Sequence, residues 1–308
     1  MKDTADMIEL YFSFLMYSLN KWDGRKRYLW KDSEPLCKFV EGFTGPQDDL
    51  YLAIGKIIRR VVEAHKMLFR FRGVRCMFTG CEFKLVHTAL LVAARMAFRS
   101  WFPDSHLVAR LIEEIYRCDK DLKYLMVGAY HEPKDCFSFD LYETREEGVY
   151  AVDYFAYHSN RARKLYIYEG EPRRFVDLSL NIPNWYHPAV YAIQQKVYDL
   201  YHVLVQHGAD LCDKREPAFK YSVEMRVMSG MGLNKYTKDK IDFRRLFFKV
   251  NPHLDSKVGS LLTLARRAIR NQLHANFQLP GGIEELPILH ILQRYTNLEL
   301  CYPHDWYV

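Results

Sequence analysis

The chain has 308 residues, 49% of them hydrophobic, and a formal net charge of +6. That is enough for one or two domains with a sizeable core. The charge permits an acidic partner or nucleic acid and demands neither, and no apolar run approaches the roughly 20 residues of a membrane span. Seven cysteines without a CxxC pair exclude a disulfide framework. The first residues, with Lys2, Asp3 and Asp6, lack a secretory pattern, and the expected setting is reducing and intracellular, cytoplasmic or nuclear. The 22 Tyr and 19 Phe suit a core, a recognition surface, or both.

Asp3 to about Trp22 reads as a helix with Met7, Leu10, Tyr11, Phe14, Leu15 and Ser18 on one side, ended by Asp23-Gly24. Arg25, Lys26 and Arg27 form a basic link, Tyr28 to Gly42 holds a second short helix, and Thr44-Gly-Pro46 is a break. Asp48 or Asp49 then caps a helix from Leu50 to about Met67. Its positions Ala53, Ile54, Ile57, Ile58, Val61 and Val62 recur at helical spacing. Lys66 to Arg75 is basic and aromatic. Solvated helix ends account for its arginines most simply, and a nucleic-acid site is the alternative.

His87–Ala94 and Leu107–Ile115 predict two helices joined through Pro103 and Asp104. The pattern breaks from about 128 to 177. There Phe137–Tyr142, Val149–Phe155 and Leu165–Tyr168 alternate, as short strands, hairpins or aromatic-rich loops do. A second helix pair follows, His187–Ala192 and Tyr198–Gln206, closed by His207-Gly-Ala-Asp210. Pro188 suits a first helical turn, where its missing N–H costs nothing. Gly208 suits a left-handed C-cap. Residues 228–256 are polar and basic and read as a linker with one short helix around Phe243 to Phe248.

The segment from Ser260 to Leu273 predicts a helix with Ser260 as N-cap. At about 100° per residue Leu261, Ala265 and Ile269 fall within roughly 80° of one another, and Leu273 continues the stripe. Arg266, Arg267 and Arg270 project oppositely, so one apolar and one cationic face are expected. Leu279-Pro-Gly-Gly282, the run Ile283–Leu289 and a second apolar helix pattern through Leu292 and Tyr295 follow. Cys301 to Val308 forms a short aromatic tail.

No motif for catalysis is present: no GxGxxG, GxxxxGK[ST], HExxH or GxSxG. Cys76, Cys81 and His87 lack the tight ligand pair of zinc sites. His131, Glu132, Asp135 and Cys136 fit a surface turn near Pro133. No catalytic residue, no metal and no cofactor is expected, and the chain reads as a non-enzyme.

The C-terminal pattern resembles the SOCS box. In that module a helix with a small hydroxyl residue, Leu, a small residue and an aliphatic at fixed spacing binds elongin C. Ser260, Leu261, Ala265 and Ile269 take those positions, with Leu264 beside them. Leu286, Pro287 and Ile288 take the start of the cullin-contacting Leu-Pro element. Ala265 stands where Cys is commonest, and Leu289 where a second Pro is usual.

The two helix pairs resemble ankyrin repeats. In the second, Pro188, Ala192, Leu204, Gly208, Ala209 and Asp210 match structural positions; in the first, Thr88, Leu90 and Ala93 match. Together the chain resembles the ankyrin repeat and SOCS box family.

The resemblance implies a mainly α fold: a degenerate ankyrin-repeat helical solenoid over 1–227 with an aromatic-rich insert at about 128–177, a linker over 228–256, a three-helix SOCS box over 257–300 and a tail over 301–308. It implies a non-catalytic substrate-recognition subunit of a ubiquitin ligase. The partners would be elongin C and elongin B, cullin-5 (cullin-2 the alternative) with a RING protein, and a substrate protein; neither membrane nor nucleic acid is among them. A protein-interaction scaffold that recruits no ligase is the main rival reading, and a nucleic-acid-binding protein the lesser one.

Overall fold

The computed structural model describes residues 2–20, 29–72, 84–119, 122–131, 141–168, 170–178, 188–209 and 261–297. The chain divides into two units, Met1–Pro188 and Ala189–Val308. The N-terminal unit contains α1 (Lys2–Asn20), α2 (Leu29–Glu41), α3 (Gln47–Arg72), α4 (Lys84–Arg99), α5 (Ser105–Asp119), the short α6 (Lys123–Met126) and α7 (Arg145–Arg161). Strands β1 (Tyr166–Tyr168) and β2 (Glu171–Arg173) form an antiparallel hairpin, Tyr166 opposite Arg173. The described architecture is mainly helical, as the sequence indicates. No helix among the described residues is long and apolar enough to cross a membrane.

Helix α4 is the axis of this unit. Every residue from His87 to Phe98 is buried. A helix buried all round needs neighbours all round, and α1, α2, α3, α5 and α7 supply them. Ala89, Ala93, Ala94 and Ala97 keep the helix narrow enough for close approach.

Two arginines one turn apart on α4 reach outward through this apolar sheath. Arg95, fully buried, donates from Nη1 to Ser33 Oγ at 2.8 Å and from Nη2 to Glu34 at 2.6 Å and Glu147 at 3.2 Å. Arg99 is bonded to Glu41 and donates to Glu147 Oε1 at 2.9 Å. The bond to Glu41, and then that to Glu147, hold the Arg99 guanidinium above its ordinary pKa despite its burial. The cluster ties α2 and α7 to α4. A second buried polar pair, His65 Nδ1 and Glu114 Oε2 at 2.9 Å, joins α3 to α5.

The stretch Val149–Phe155, expected as a strand or hairpin, lies instead in the middle of α7. Its buried positions, among them Gly148, Ala151, Val152, Phe155, Ala156 and Ser159, recur at three and four residues. The start is fixed by Thr144, whose Oγ1 accepts from the Glu147 N–H at 3.1 Å. Glu147 reaches back to the Glu143 N–H at 2.6 Å, a reciprocal cap. A Cβ on Gly148 would lie 2.6 Å from the backbone of Gly128 and Ala129. Only glycine lets α7 run against the 3-10 turn Val127–Ala129. The expected strand around Tyr166–Tyr168 is present as β1; Phe137 to Asp140 lies outside the described residues.

Helices α4 and α7 leave through left-handed residues, Trp101 at φ 50° and Arg163 at φ 52°. In each, the following N–H reaches back five residues, Phe102 to Ala97 O and Lys164 to Ser159 O, both at 2.9 Å.

Of the residues weighed for metal, Cys76 and Cys81 lie outside the described ones. His87 is buried in α4, its ring in a T-shaped contact with that of Tyr124. No group of three or more His, Cys, Asp or Glu among the described residues is arranged to hold a metal ion.

Two measurements check this core. Replacing Arg95 with Met leaves Glu34 and Glu147 facing a buried apolar surface and is expected to cost about 3–5 kcal/mol in urea unfolding; a loss below about 1 kcal/mol contradicts the clamp. The second concerns His158, whose Nδ1 lies 2.8 Å from Ser105 Oγ and whose ring packs tilted against Tyr154. Burial, followed by nearby Arg161, pushes its pKa from 6.5 down to about 4. The unfolded chain therefore takes up a proton at higher pH than the folded one. Stability is expected to fall as pH drops from about 6.5 through about 4, and His158→Gln should flatten that part of the profile.

Candidate functional site

The C-terminal unit holds α8 (Pro188–Gln194, its first residue shared with the N-terminal unit), α9 (Tyr198–Gln206), α10 (Leu261–Ala275), a 3-10 turn at Gly281–Ile283 and α11 (His290–Thr296). Asp210, Ser260, the expected linker 228–256 with its short helix, and the tail 301–308 lie outside the described residues. Leu261 and Leu264 belong to the first turn of α10 by backbone; their side chains, like that of Arg267, are also outside the described set.

The local backbone requirements read from sequence are met. Pro188 is the first residue of α8. Ala192 and Leu204 are fully buried. Gly208 has φ +90°, with its N–H on Val205 O at 3.0 Å and the Ala209 N–H on Leu204 O at 2.9 Å. These two bonds satisfy carbonyls that the end of α9 would otherwise leave open.

The absence of a Cβ at Gly208 serves a second purpose. A Cβ there would collide with the His274 ring and press on Leu279, so the glycine is also where α10 closes on the end of α9. Arg270 completes the joint. Its Nη2 donates to Val205 O at 2.6 Å and Gln206 O at 3.3 Å, and its Nη1 to Thr296 O at 3.1 Å. One guanidinium thus caps the C-termini of two helices, α9 and α11, where positive charge is favoured.

Arg266 is also engaged. It is 4% exposed, and its guanidinium lies 4.5 Å from the centre of the Tyr295 ring. The expected cationic face is therefore corrected for Arg266 and Arg270: tertiary acceptors and an aromatic ring cover it. The apolar stripe divides as well. Leu273 is buried with Leu279 and Ile283 in a small core, and Ile269 and Leu286 pack half-buried against it. Ala265 is exposed, as is Ala268. The inner side of α10 builds its own module, and its exposed side carries Ala265, Ala268, Asn271 and Gln272.

The run after the 3-10 turn is held from α11. Gln293 Nε2 donates to Glu284 O and Leu286 O, both at 3.0 Å. That fixes the backbone leading to Pro287, which is exposed, and Ile288, which is half-buried. Beyond them Leu289, Ile291 and Leu292 are exposed at 72%, 54% and 36%. Sequence reasoning missed the roles of Arg266, Arg270, His274 and Gln293. The one local cue was the placement of arginines near the C-terminal end of α10.

Residues 257–295 match the SOCS box family. A SOCS box is the elongin B/C-binding module of cullin–RING ligase substrate receptors, and proteins that carry it usually act as non-catalytic adaptors. No curated protein and no solved structure matches the chain.

Arg270→Met is expected to leave the carbonyls of Val205, Gln206 and Thr296 without this donor and to destabilise the C-terminal unit by about 1–3 kcal/mol. Gly208→Ala should do at least as much through the left-handed φ and the collision with His274. Hydrogen exchange at α9 and α10 reads both; unchanged protection in either variant contradicts the joint.

Proposed function

We propose that the chain is a substrate-recognition subunit of an elongin B/C–cullin–RING E3 ubiquitin ligase. The observation that carries this reading is the SOCS box at residues 257–295. In support, α10 leaves Ala265 exposed, and Leu261 falls about 40° from it by helical position. Leu261 is the anchor for an elongin C pocket, with Ser260, Leu264 and Ala265 beside it and Ile269 at the edge of the contact. Burying one Leu contributes about 1.5–3 kcal/mol, the scale of an interface hot spot. Helix-in-groove recognition of this kind needs a small residue where the backbones approach, and Ala265 meets that need.

Pro287 and Ile288, with Leu286 behind them, face the cullin. Cullin-5 is the first choice, and Leu289 in place of the second proline leaves cullin-2 as the alternative. The chain performs no chemistry itself. It holds a substrate near a ubiquitin-charged enzyme and raises its effective concentration. The substrate-binding body is the rest of the chain, with α8–α9 as an ankyrin-like pair supported by Pro188 at the helix start and Gly208 at φ +90°. Within the ankyrin repeat and SOCS box family, the sparse repeats and the segments Ile269–Leu273, Leu279-Pro280 and Asn297–Leu300 are most similar to its seventeenth numbered member or an invertebrate relative of it.

The rival scaffold reading, in which no ligase is recruited, draws support from Ile269, half-buried against the box's own core. A nucleic-acid reading has less: Lys56 pairs with Glu9 at 3.4 Å, Lys66 with Glu63 at 3.4 Å, and Arg173 lies over the Tyr168 ring.

Co-purification of the full chain with elongin B and elongin C separates these readings. Wild type is expected to form a stable complex. Ala265→Asp and Leu261→Asp should weaken it roughly 30- to 150-fold, as burying an uncompensated polar group costs about 2–3 kcal/mol. Folded wild-type protein that forms no complex transfers the lead to the scaffold. Pro287→Asp should keep elongin binding and weaken cullin recruitment; because Leu286 packs in the box core, its replacement is a poorer probe.

A further inference from the structure

Helix α3 presents one narrow stripe to solvent along about 22 Å of its length. Leu52, Lys56, Arg59, Arg60, Glu63 and Met67 fall within about 100° of arc, and all six are exposed. The two ends of the stripe are apolar, Leu52 at 53% and Met67 at 55% exposure. Its middle is cationic. A solvated helix face ordinarily alternates sign at three and four residues, so that each charge meets its opposite. This one does not. Glu63 is the only carboxylate of α3 at that spacing from Arg59 and Arg60. Its Oε1 is taken sideways, by Arg110 of α5 at 2.8 Å and Lys66 at 3.4 Å. Glu9 of α1 pairs with Lys56 at 3.4 Å. Arg59 and Arg60 make no hydrogen bond or ion pair among the described residues. Each also lies three or four residues from Lys56, a like-charge spacing that weakens a helix.

We propose that this stripe binds an extended, acidic segment of a partner protein that carries an apolar residue at either end. Its carboxylates meet the guanidinium groups of Arg59 and Arg60, which suit that geometry, and relieve their repulsion with Lys56. Its apolar ends cover Leu52 and Met67. An extended chain rises about 3.3 Å per residue, so about eight residues span the stripe. The charge complementarity is local. Lys56, Arg59, Arg60, Lys66 and Arg110 stand here against Glu9 and Glu63, which the first and the last two of them already engage. A nucleic acid fits less well. The stripe offers no aromatic ring on which bases could stack, and Glu9 and Glu63 interrupt the cations that a continuous phosphate backbone would follow. This inference does not depend on the ligase reading; if both hold, the stripe is where the substrate is held.

Fluorescence anisotropy with the full chain is the test. The probe is a labelled peptide of consecutive Glu residues with Leu at each end, about eight residues long. Wild type should bind it, less tightly as salt rises. Arg59→Gln and Arg60→Gln should each weaken binding about threefold, and together about tenfold. Neither should lose stability in urea, since both side chains are exposed and unbonded. Arg163→Gln removes an exposed arginine just past α7 and should bind as wild type does. Leu52→Ser with Met67→Ser, or Ala in place of the peptide's leucines, should weaken binding, and Gln in place of its glutamates should abolish it. A wild-type chain that leaves the peptide free overturns the proposal. An equal loss in Arg163→Gln does so too, because it shows attraction to net charge alone. Oligothymidylate of the same length that binds more tightly than the peptide, and through Arg59 and Arg60, overturns it in favour of nucleic acid.

Discussion

The N-terminal unit depends on two guanidinium groups projecting from a helix that is otherwise apolar all round. An apolar cylinder can be buried in many rotations about its own axis, because hydrophobic attraction has no direction. Arg95 and Arg99 remove that freedom. Arg95 has to meet Ser33, Glu34 and Glu147 at once, and Arg99 has to meet Glu41 and Glu147. Buried ion pairs add little net stability over well-packed apolar groups, and breaking one is costly. Their effect here is to select one rotation of α4 and one register for α2 and α7. Glu147 carries that constraint further, because the carboxylate that receives both arginines also caps the start of α7.

The C-terminal unit uses the same device at helix ends. A helix leaves its last carbonyls without partners, and burying them unsatisfied is costly. Arg270 gathers two from α9 and one from α11. Its planar fork reaches divergent acceptors that a lysine ammonium would serve less well. Gly208 contributes in two ways, turning the chain out of α9 and leaving room for His274. The α9–box joint is thus a hydrogen-bonded junction in addition to an apolar contact.

What was legible in the sequence follows from this division between local and distant causes. Helices α1, α3, α5, α9 and α10 announce themselves by apolar spacing, and Pro188 and Gly208 by backbone needs that a few neighbouring residues impose. Helix α7 was hidden because the run Val149–Phe155 is rich in the β-branched and aromatic residues that strands favour; the pattern Thr144-x-x-Glu147 was the cue that outweighs it. The arginines of α10 were misplaced for a different reason. Arginine belongs on the surface by default, and the acceptors that engage Arg270 lie 65 positions earlier, at Val205, and 26 later, at Thr296. No window of sequence holds those together. The same holds for Arg95 and Ser33, separated by 62 positions.

The split of α10 bears on how such a helix can be read by a partner. A docking helix that orders only on contact has to meet its entropy cost out of the binding free energy. Here Arg266 on Tyr295, Arg270 on three carbonyls, and Ile269 and Leu273 in the small core anchor the inner side beforehand. The outer side needs only to be small and accessible, and Ala265 and Ala268 are both. Arg266 and Arg270, which a surface reading would assign to solvent, therefore hold the helix in place, and the side it exposes carries Ala265 and Ala268 with Asn271 and Gln272. Preorganisation of this kind predicts that substitutions on the two sides differ in kind: inner changes alter the module's stability, outer changes alter what it binds.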